Sequence, residues 1–358
     1  MTTKHHFRSF LQHFVELYTP YLETQTEQMQ REAEHLNPMS GELGVSAARL
    51  IRCGGKRIRP ALIYLGYWLA SGQKPEDSEL EDIFLLGTAV EFLHTFALVH
   101  DDIIDIADTR RGEPTIEAEY RKRIGKHGAT TAAILAGDFL HVYADKLASQ
   151  LEYVQTRSDY FAMSCELVFG QIDDCLGVGL GDFKTIDQQR ILAMLAAKSG
   201  NYSIQKPLLL GARLAEEKGK VQKESYFNSL EHIGRDLGLV FQHTDDLLGI
   251  FGSDDTGKST DGDITEGKRT LLMARTVQAA SVEVKEKLLQ ILGNAEAKRD
   301  EIDWVKKTVV ELGIDADIRT ECMEYMKTIS EEIEKQWGNA EPAIILQQLG
   351  DYLLSRSS

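Results

Sequence analysis

The chain of 358 residues sets 40 Lys and Arg against 56 Asp and Glu, a formal net charge of −16. Its 42% hydrophobic content is enough for a large core. A body this acidic repels nucleic acid and anionic membrane, so any phosphorylated ligand must be held by a local basic pocket or by bridging cations.

The N-terminal MTTKHHFRSF lacks the apolar core of a signal peptide. No run of ~18 apolar residues is evident either, and a cytoplasmic chain is expected. Apolar residues recur at three-to-four spacing, as in Leu192, Leu195 and Ala196 or Leu288, Leu289 and Leu292. Neither an alternating strand nor an Asn-Gly or Asp-Gly hairpin stands out. The pattern predicts an all-α fold in a single domain, residues 1–358. Helices are expected at about 8–35, 43–53, 58–71, 78–107, 128–152, 157–177, 187–214, 223–250, 268–292, 297–311, 317–337 and 340–355. The stretches 78–107 and 223–250 are apolar on most faces and read as central helices. Pro207 should kink an otherwise helical run. Cys53, Cys165, Cys175 and Cys322 form no C-x-x-C pair, which fits scattered thiols rather than zinc or disulfides.

Two acidic clusters carry the chemistry. The apolar helix from Glu91 ends in Asp101, Asp102 and Asp105, with Asp101 and Asp105 one turn apart on one face. Adjacent like charges at about 4 Å cost about 4 kcal/mol at an effective dielectric near 20, so a cation should offset them. Magnesium is the natural candidate where phosphates share a site. A second apolar helix closes in Gln242-His243-Thr244-Asp245-Asp246, with Gln242 near the face of Asp245. Solvated helix ends would explain either cluster alone, but explain the pair poorly.

Basic motifs accompany them. Lys56, Arg57 and Arg59 follow the Gly54-Gly55 turn, and Arg110-Arg111-Gly112 follows the first acidic cluster. Glycines let backbone N–H groups approach an anion, and arginine pairs suit a polyanion. Gly252 to Ser259 matches the letters of a P-loop. However, a helical pattern precedes it, no amphipathic helix follows, and Asp254 and Asp255 would face the phosphates. It also fails the EF-hand pattern. His100-Asp101 lacks the further histidines of a phosphohydrolase metal site.

In this order the motifs resemble those of the trans-isoprenyl diphosphate synthases, over roughly residues 45–350. Within that family the chain is most similar to bacterial, in particular actinobacterial, geranylgeranyl diphosphate synthases. The resemblance rests on Gly54–Pro60, Leu98–Asp105, Arg110–Gly112, Gly170–Asp174, Lys198–Gly200 and Phe241–Asp246, followed by Gly257-Lys258 and Gly267–Thr270. It implies one helical bundle of the isoprenoid synthase type around an apolar cavity, with 1–44 as a helical extension. It also implies magnesium-dependent head-to-tail condensation of isopentenyl diphosphate with an allylic diphosphate, by a homodimer. Asp101, Asp105 and Asp245 would ligate three magnesium ions, supported by Asp102 and Asp246. Arg110, Lys198 and Lys258 would hold the allylic diphosphate, and Lys56, Arg59, His94 and Arg111 the isopentenyl diphosphate. Gln171, Asp174, Ser199 and Gln242 would line the reacting end, and Lys268 would help close a loop.

The chain departs from the family where Gly249 replaces the third acid of the second motif, which should weaken metal binding and leave room at the helix end. Ser199 stands for the commoner threonine. Phe96 and Ala97 lie five and four residues before Asp101, and Phe96 falls about one and a half turns deeper. A single aromatic there resembles the C20-forming pattern, with C15 or C25 and longer as alternatives. A class I terpene cyclase and a non-catalytic synthase subunit are the competing readings. The first needs a different second motif. The second should have lost an acidic cluster or the Gly-Gly-Lys turn.

Overall fold

A computed structural model describes residues 6–178, 187–221, 225–252 and 261–355. The chain is all-α, as its periodicity predicts. Helices α1 (His6–Leu36), α2 (Pro38–Arg52), α3 (Ile58–Ser71) and α4 (Asp77–Ile104) lead to a short hairpin of β1 (Thr109–Arg110) and β2 (Glu113–Pro114). Then come α5 (Ile116–Ser149), α6 (Val154–Ile172), α7 (Gln188–Leu195), α8 (Lys206–Glu217), α9 (Ser225–Phe251) and α10 (Gly262–Thr265). The last five are α11 (Leu271–Ala279), α12 (Val282–Ile291), α13 (Arg299–Glu311), α14 (Ile314–Trp337) and α15 (Glu341–Leu354).

Local chemistry sets the boundaries. Asn37 caps α2 by accepting from the Ser40 N–H at 2.9 Å, with Pro38 in the first turn. Thr115 and Thr270 cap α5 and α11 in the same way. Four departures from the periodicity have physical causes. The expected helix 128–152 is preceded, across a kink at the non-helical Gly125 (φ 70°, ψ 170°), by a further helical stretch from Ile116, and the two together are α5. The expected helix 268–292 is two, because Ala280 is extended and Ser281 caps α12. Residues 196–205, before Pro207, are π-helical, as are Asp173–Val178. Proline has no N–H for the turn before it, and here the ladder widens rather than stopping. The hairpin, invisible as an alternating pattern, has only two residues per strand.

By its contacts the chain divides into two compact units, Met1–Phe161 with Pro207–Lys223, and Ala162–Lys206 with Glu224–Ser358. In the first, α4 is buried on all faces from Ile83 to Leu93. By length and composition it could cross a membrane, which corrects the expectation that no such run exists; 78% of its most apolar stretch is buried in the protein. Aromatic side chains of α1 cover it, with Tyr18 and Phe84 ring centroids 5.6 Å apart. The Tyr18 hydroxyl meets Thr88 Oγ1 at 3.1 Å. Helices α3 and α8 meet backbone to backbone: a Cβ on Gly211 would fall 2.8 Å from the Ile63 carbonyl carbon, and one on Gly66 2.8 Å from that of Leu208. In the second unit, α9 packs against the π-helical segment and α14. A small cluster of Ile191, Met194, Leu195, Leu271 and Ala274 joins α7 to α11.

Neither Gly66 nor Gly211 can carry a side chain without separating two helices. Gly211→Ala should therefore destabilise the fold by about 2–3 kcal/mol, read as a lower denaturant midpoint at unchanged slope. A midpoint equal to that of the parent chain would contradict this packing.

Candidate active site

In the first unit the apolar α4 delivers the first acidic cluster at its C-terminal end. Asp101 and Asp105 are half-buried and Asp102 is buried. The helix stops at Asp105 with Ile106 in the left-handed region (φ 53°), where glycine is usual. The Ala107 N–H donates to the Asp102 carbonyl and the Ile106 N–H to that of Ile103, which closes the end.

The hairpin that follows turns on Arg111 (φ 54°) and Gly112 (φ 81°), two consecutive left-handed residues in a two-residue loop. It returns Arg110 to the helix it has just left. Arg110 Nε donates to Asp102 Oδ1 at 2.7 Å, and Nη2 lies 2.5 Å from the same oxygen. Asp102 Oδ2 is buried with no hydrogen-bond partner. Burial raises the Asp102 carboxyl above the usual aspartate range despite Arg110.

The Gly54-Gly55 turn meets the same hairpin. Arg111 Nη1 donates to the Cys53 carbonyl at 3.1 Å, and a Cβ on Gly55 would lie 3.1 Å from that guanidinium nitrogen. Both glycines have positive φ, so the turn needs them for conformation as well as for space. Of the three cations read beside this turn, Arg57 is structural. It is buried, ion-paired with buried Glu91 of α4, and donates to the Ile51 carbonyl at 2.5 Å. Lys56 is exposed and Arg59 half-buried.

His94 of α4 is half-buried among these groups. Burial first, then the charges of Arg59, Arg111, Arg110 and Arg57, hold its imidazole well below the ordinary histidine range. Burial also lowers the Arg111 guanidinium, with Arg57, Arg59 and Arg110 adding to it and Glu91 opposing. Four arginines thus bear on one neutral histidine, an arrangement suited to an anion. Arg57, Ile106 and Arg111 are also the non-glycine residues of positive φ among the described residues. Backbone strain concentrates at this one place.

Deeper on α4, the buried Phe96 ring contacts two imidazoles, edge-on to His100 at a centroid distance of 4.8 Å and stacked on His141 at 4.5 Å. Ala97 is half-buried. His100 Nε2 lies 3.2 Å from the Ile134 carbonyl, over Gly137, where a Cβ would displace it.

In the second unit the catalytic candidates lie in or beside the π-helical turns, a geometry frequent at functional sites. Lys198 Nζ donates to Asp174 Oδ2 at 2.5 Å, and Gln171 Nε2 lies 3.5 Å from Cys175 Sγ. Ser199 is half-buried. Glycines press this segment into place. A Cβ on Gly170 would fall 2.5 Å from the Lys198 nitrogen, and one on Gly200 2.9 Å from the Gly238 carbonyl oxygen.

The second acidic cluster is on α9, with Asp245 half-buried and Asp246 buried. Gln242 Nε2 donates to Asp246 Oδ1 at 2.8 Å, while Asp246 Oδ2 is buried without a partner. Burial drives the Asp246 carboxyl well above its usual range; hydrogen bonds from Gln242 and the Leu271 backbone N–H oppose this, and the charges of Asp245 and Asp263 add to it. The room expected at Gly249 is filled. A Cβ there would fall 2.9 Å from Asp263 Cγ and closer still to its Oδ2. Lys268, expected at a closing loop, has Nζ 3.3 Å from Asp263 Oδ1 and 3.0 Å from Glu266 Oε2. Lys258 and Gly257 lie outside the described residues.

Sequence reasoning missed Asp263 and the Arg57–Glu91 pair. The Asp261-Gly262-Asp263 run downstream of a motif short of one acid was the available signal for the first. The second left no signal, since a paired and an unpaired arginine look alike in sequence. Among the described residues no three His, Cys, Asp or Glu side chains gather into a metal cage. Magnesium, however, is commonly held by one or two carboxylates with phosphates and water completing the shell. Two buried carboxylate oxygens without partners, on Asp102 and Asp246, fit that chemistry.

Comparison with known proteins bears on the family and the fold. The family model described as Polyprenyl synthetase matches residues 42–309. The geranylgeranyl diphosphate synthase of Sulfolobus acidocaldarius is 32% identical over 270 residues, 72% of this chain and 75% of that protein. The geranylfarnesyl diphosphate synthase of Aeropyrum pernix is 28% identical over 88% of this chain and 94% of its own. Among solved structures, Corynebacterium glutamicum geranylgeranyl pyrophosphate synthase, complexed with isoprenyl diphosphate and magnesium, superposes with a TM-score of 0.86. It is 27% identical, and the match covers 96% of this chain and 98% of that one.

One pH dependence follows from the second unit. Buried His243 has its imidazole lowered to about 4, by burial first, with Glu321 raising it and Arg275 lowering it. A histidine that protonates less readily folded than unfolded stabilises the fold fully above its unfolded value near 6.5, and that contribution is lost as pH falls toward the folded value. Between pH 7 and 4 the parent chain should lose about 3 kcal/mol more than His243→Gln in urea unfolding. Parallel pH profiles for the two would contradict the buried neutral imidazole.

Proposed function

The chain belongs to the polyprenyl synthetase family of prenyltransferases, and from that premise we propose that it makes geranylgeranyl diphosphate, C20, by adding isopentenyl diphosphate to allylic diphosphates. The observation that carries the reading is the pair of buried aspartates, Asp102 and Asp246, each with one oxygen lacking a partner, each near the C-terminal end of a long apolar helix.

In this reading Asp101, Asp105 and Asp245 bind magnesium, three ions in all, and Asp102 and Asp246 support them. Magnesium, when bound, supplies Lewis-acid neutralisation of the leaving diphosphate. Arg110, Lys198 and Lys258 bind the allylic diphosphate. Lys56, Arg59 and Arg111 bind the isopentenyl diphosphate beside His94, whose neutral ring can donate one hydrogen bond without adding charge. Gln171, Asp174, Ser199 and Gln242 present polar groups at the reacting end, where developing positive charge is stabilised by fixed dipoles. The leaving diphosphate itself takes the proton lost after condensation, so no side chain is needed as a dedicated base. Apolar walls keep water from the allylic cation.

Phe96 limits the product. Its ring meets His100 edge-on and stacks on His141, contacts that hold it as a firm stop. Residues 1–358 are read as one catalytic domain, cytoplasmic and homodimeric. Helix α5 exposes Ile134 (43%), Leu135 (52%) and Val142 (68%), apolar surface that a second copy would cover.

Purified protein incubated with magnesium, isopentenyl diphosphate and dimethylallyl, geranyl or farnesyl diphosphate should yield a C20 alcohol after dephosphorylation. Asp101→Asn should lower turnover at least ~100-fold, and Phe96→Ala should shift products beyond C20. A C15 product from the parent chain would overturn the length assignment. No condensation with any primer would overturn the reaction and favour a cyclase or a non-catalytic subunit.

A further inference from the structure

The hairpin that carries Arg110 and Arg111 is small for its task. Each strand has two residues, and the loop holds Arg111 (φ 54°) and Gly112 (φ 81°) in the left-handed region. A two-stranded ribbon this short is not stable by itself, and a strained arginine persists only where its surroundings fix it. Arg110 meets Asp102, and Arg111 meets the Cys53 carbonyl, through the same guanidinium groups that an anion would recruit. The ribbon therefore needs anchors that do not use those groups. At its base, Thr115 Oγ1 donates to the Ala107 carbonyl at 2.9 Å, and Arg121 Nη1 lies 2.8 Å from Asp108 Oδ1.

The second strand is held by Arg49 of α2. Arg49 Nη2 donates to the Pro114 carbonyl at 3.0 Å and to Glu119 Oε2 at 2.8 Å, which engages both hydrogens of that nitrogen. Its Nη1 is buried without a hydrogen-bond partner, 3.7 Å from Glu113 Oε2. Glu119, in the first turn of α5, is itself held, its Oε1 accepting from Ser46 Oγ at 3.0 Å. Pro114 and Glu113 are the residues paired with Thr109 and Arg110, so the guanidinium grips the strand opposite the functional one. The backbone of Arg49 reaches the other basic segment. Its carbonyl accepts from the Cys53 N–H at 2.7 Å, where α2 ends before the Gly54-Gly55 turn. The Cys53 carbonyl in turn accepts from Arg111 at 3.1 Å. The contacts close a ring: Arg49 to the second strand, across the hairpin to Arg111, then through Cys53 back to Arg49.

We propose that Arg49 is a positioning residue for diphosphate binding. It fixes the hairpin, and with it Arg110 and Arg111, against the Gly54-Gly55 turn, without itself meeting the ligand. The inference rests on the diphosphate-binding roles given to those arginines above.

Amide hydrogen exchange of the full chain reads the anchorage without any ligand. Arg49→Gln should speed exchange across residues 108–115 at least ~10-fold, as expected when hydrogen bonds to a charged group are lost, and leave α4 unchanged. Arg49→Lys keeps the charge but not the fork, and should change exchange in the same segment about threefold. Calorimetric titration with isopentenyl diphosphate alone, which has no primer to react with, reads the consequence. Arg49→Gln should weaken that binding ~10-fold in the parent background. In an Arg111→Gln background it should weaken binding less than about twofold, because the effect passes through Arg111. A general contribution to the fold would cost the same in both backgrounds. Parent-like exchange in Arg49→Gln, or equal losses in the two backgrounds, would overturn the proposal. Absence of isopentenyl diphosphate binding by the parent chain would instead refute the substrate reading, and the exchange rates would then decide whether Arg49 fixes the hairpin.

Discussion

Carboxylates buried at the ends of apolar helices are the constraint on which the rest of this molecule depends. Asp102 closes α4 and Asp246 lies near the end of α9, each buried and each with an unpartnered oxygen. Burial raises both carboxyls, a cost that a neighbouring cation would offset. On the proposed reading, a protein of net charge −16 takes up a polyanion because metal and substrate arrive as mutually neutralising partners. The arginines around His94 supply the remaining positive charge, and one of the nearby cations, Arg57, is spent on Glu91 to fix the loop.

Backbone geometry holds these groups in place. The first cluster is bounded by left-handed residues at Arg57, Ile106 and Arg111, conformations that only a well-determined surrounding structure sustains. In the second unit, α6 and α9 approach the π-helical segment so closely that Gly170, Gly200 and Gly238 leave no room for a Cβ. The wide helical turns and the glycines together aim Lys198 at Asp174. The motif glycines therefore act as spacers for helix packing as well as parts of ligand loops.

Most of the architecture was legible because helical periodicity is strong over long segments. The apolar α4 and α9 and the motifs at their ends could be read directly from residue spacing. What could not be read has specific causes. The helical stretch of α5 before its kink at Gly125 went unread, and the sequence marks Gly125 only as one more glycine. A two-residue Arg111-Gly112 turn lacks the Asn-Gly signature, so the hairpin carrying Arg110 left no trace. The π-helical turns have no sequence period of their own. Asp263 looked like a loop acid because the volume beside Gly249 is a property of the fold, not of the motif.

The most direct test is the thermal midpoint of the parent chain with magnesium alone, with inorganic pyrophosphate alone, and with both. The proposed binding of a metal–diphosphate complex at the buried carboxylates predicts a large upward shift only when the two are present together. Equal shifts from magnesium alone, or no shift from the pair, would contradict that central claim.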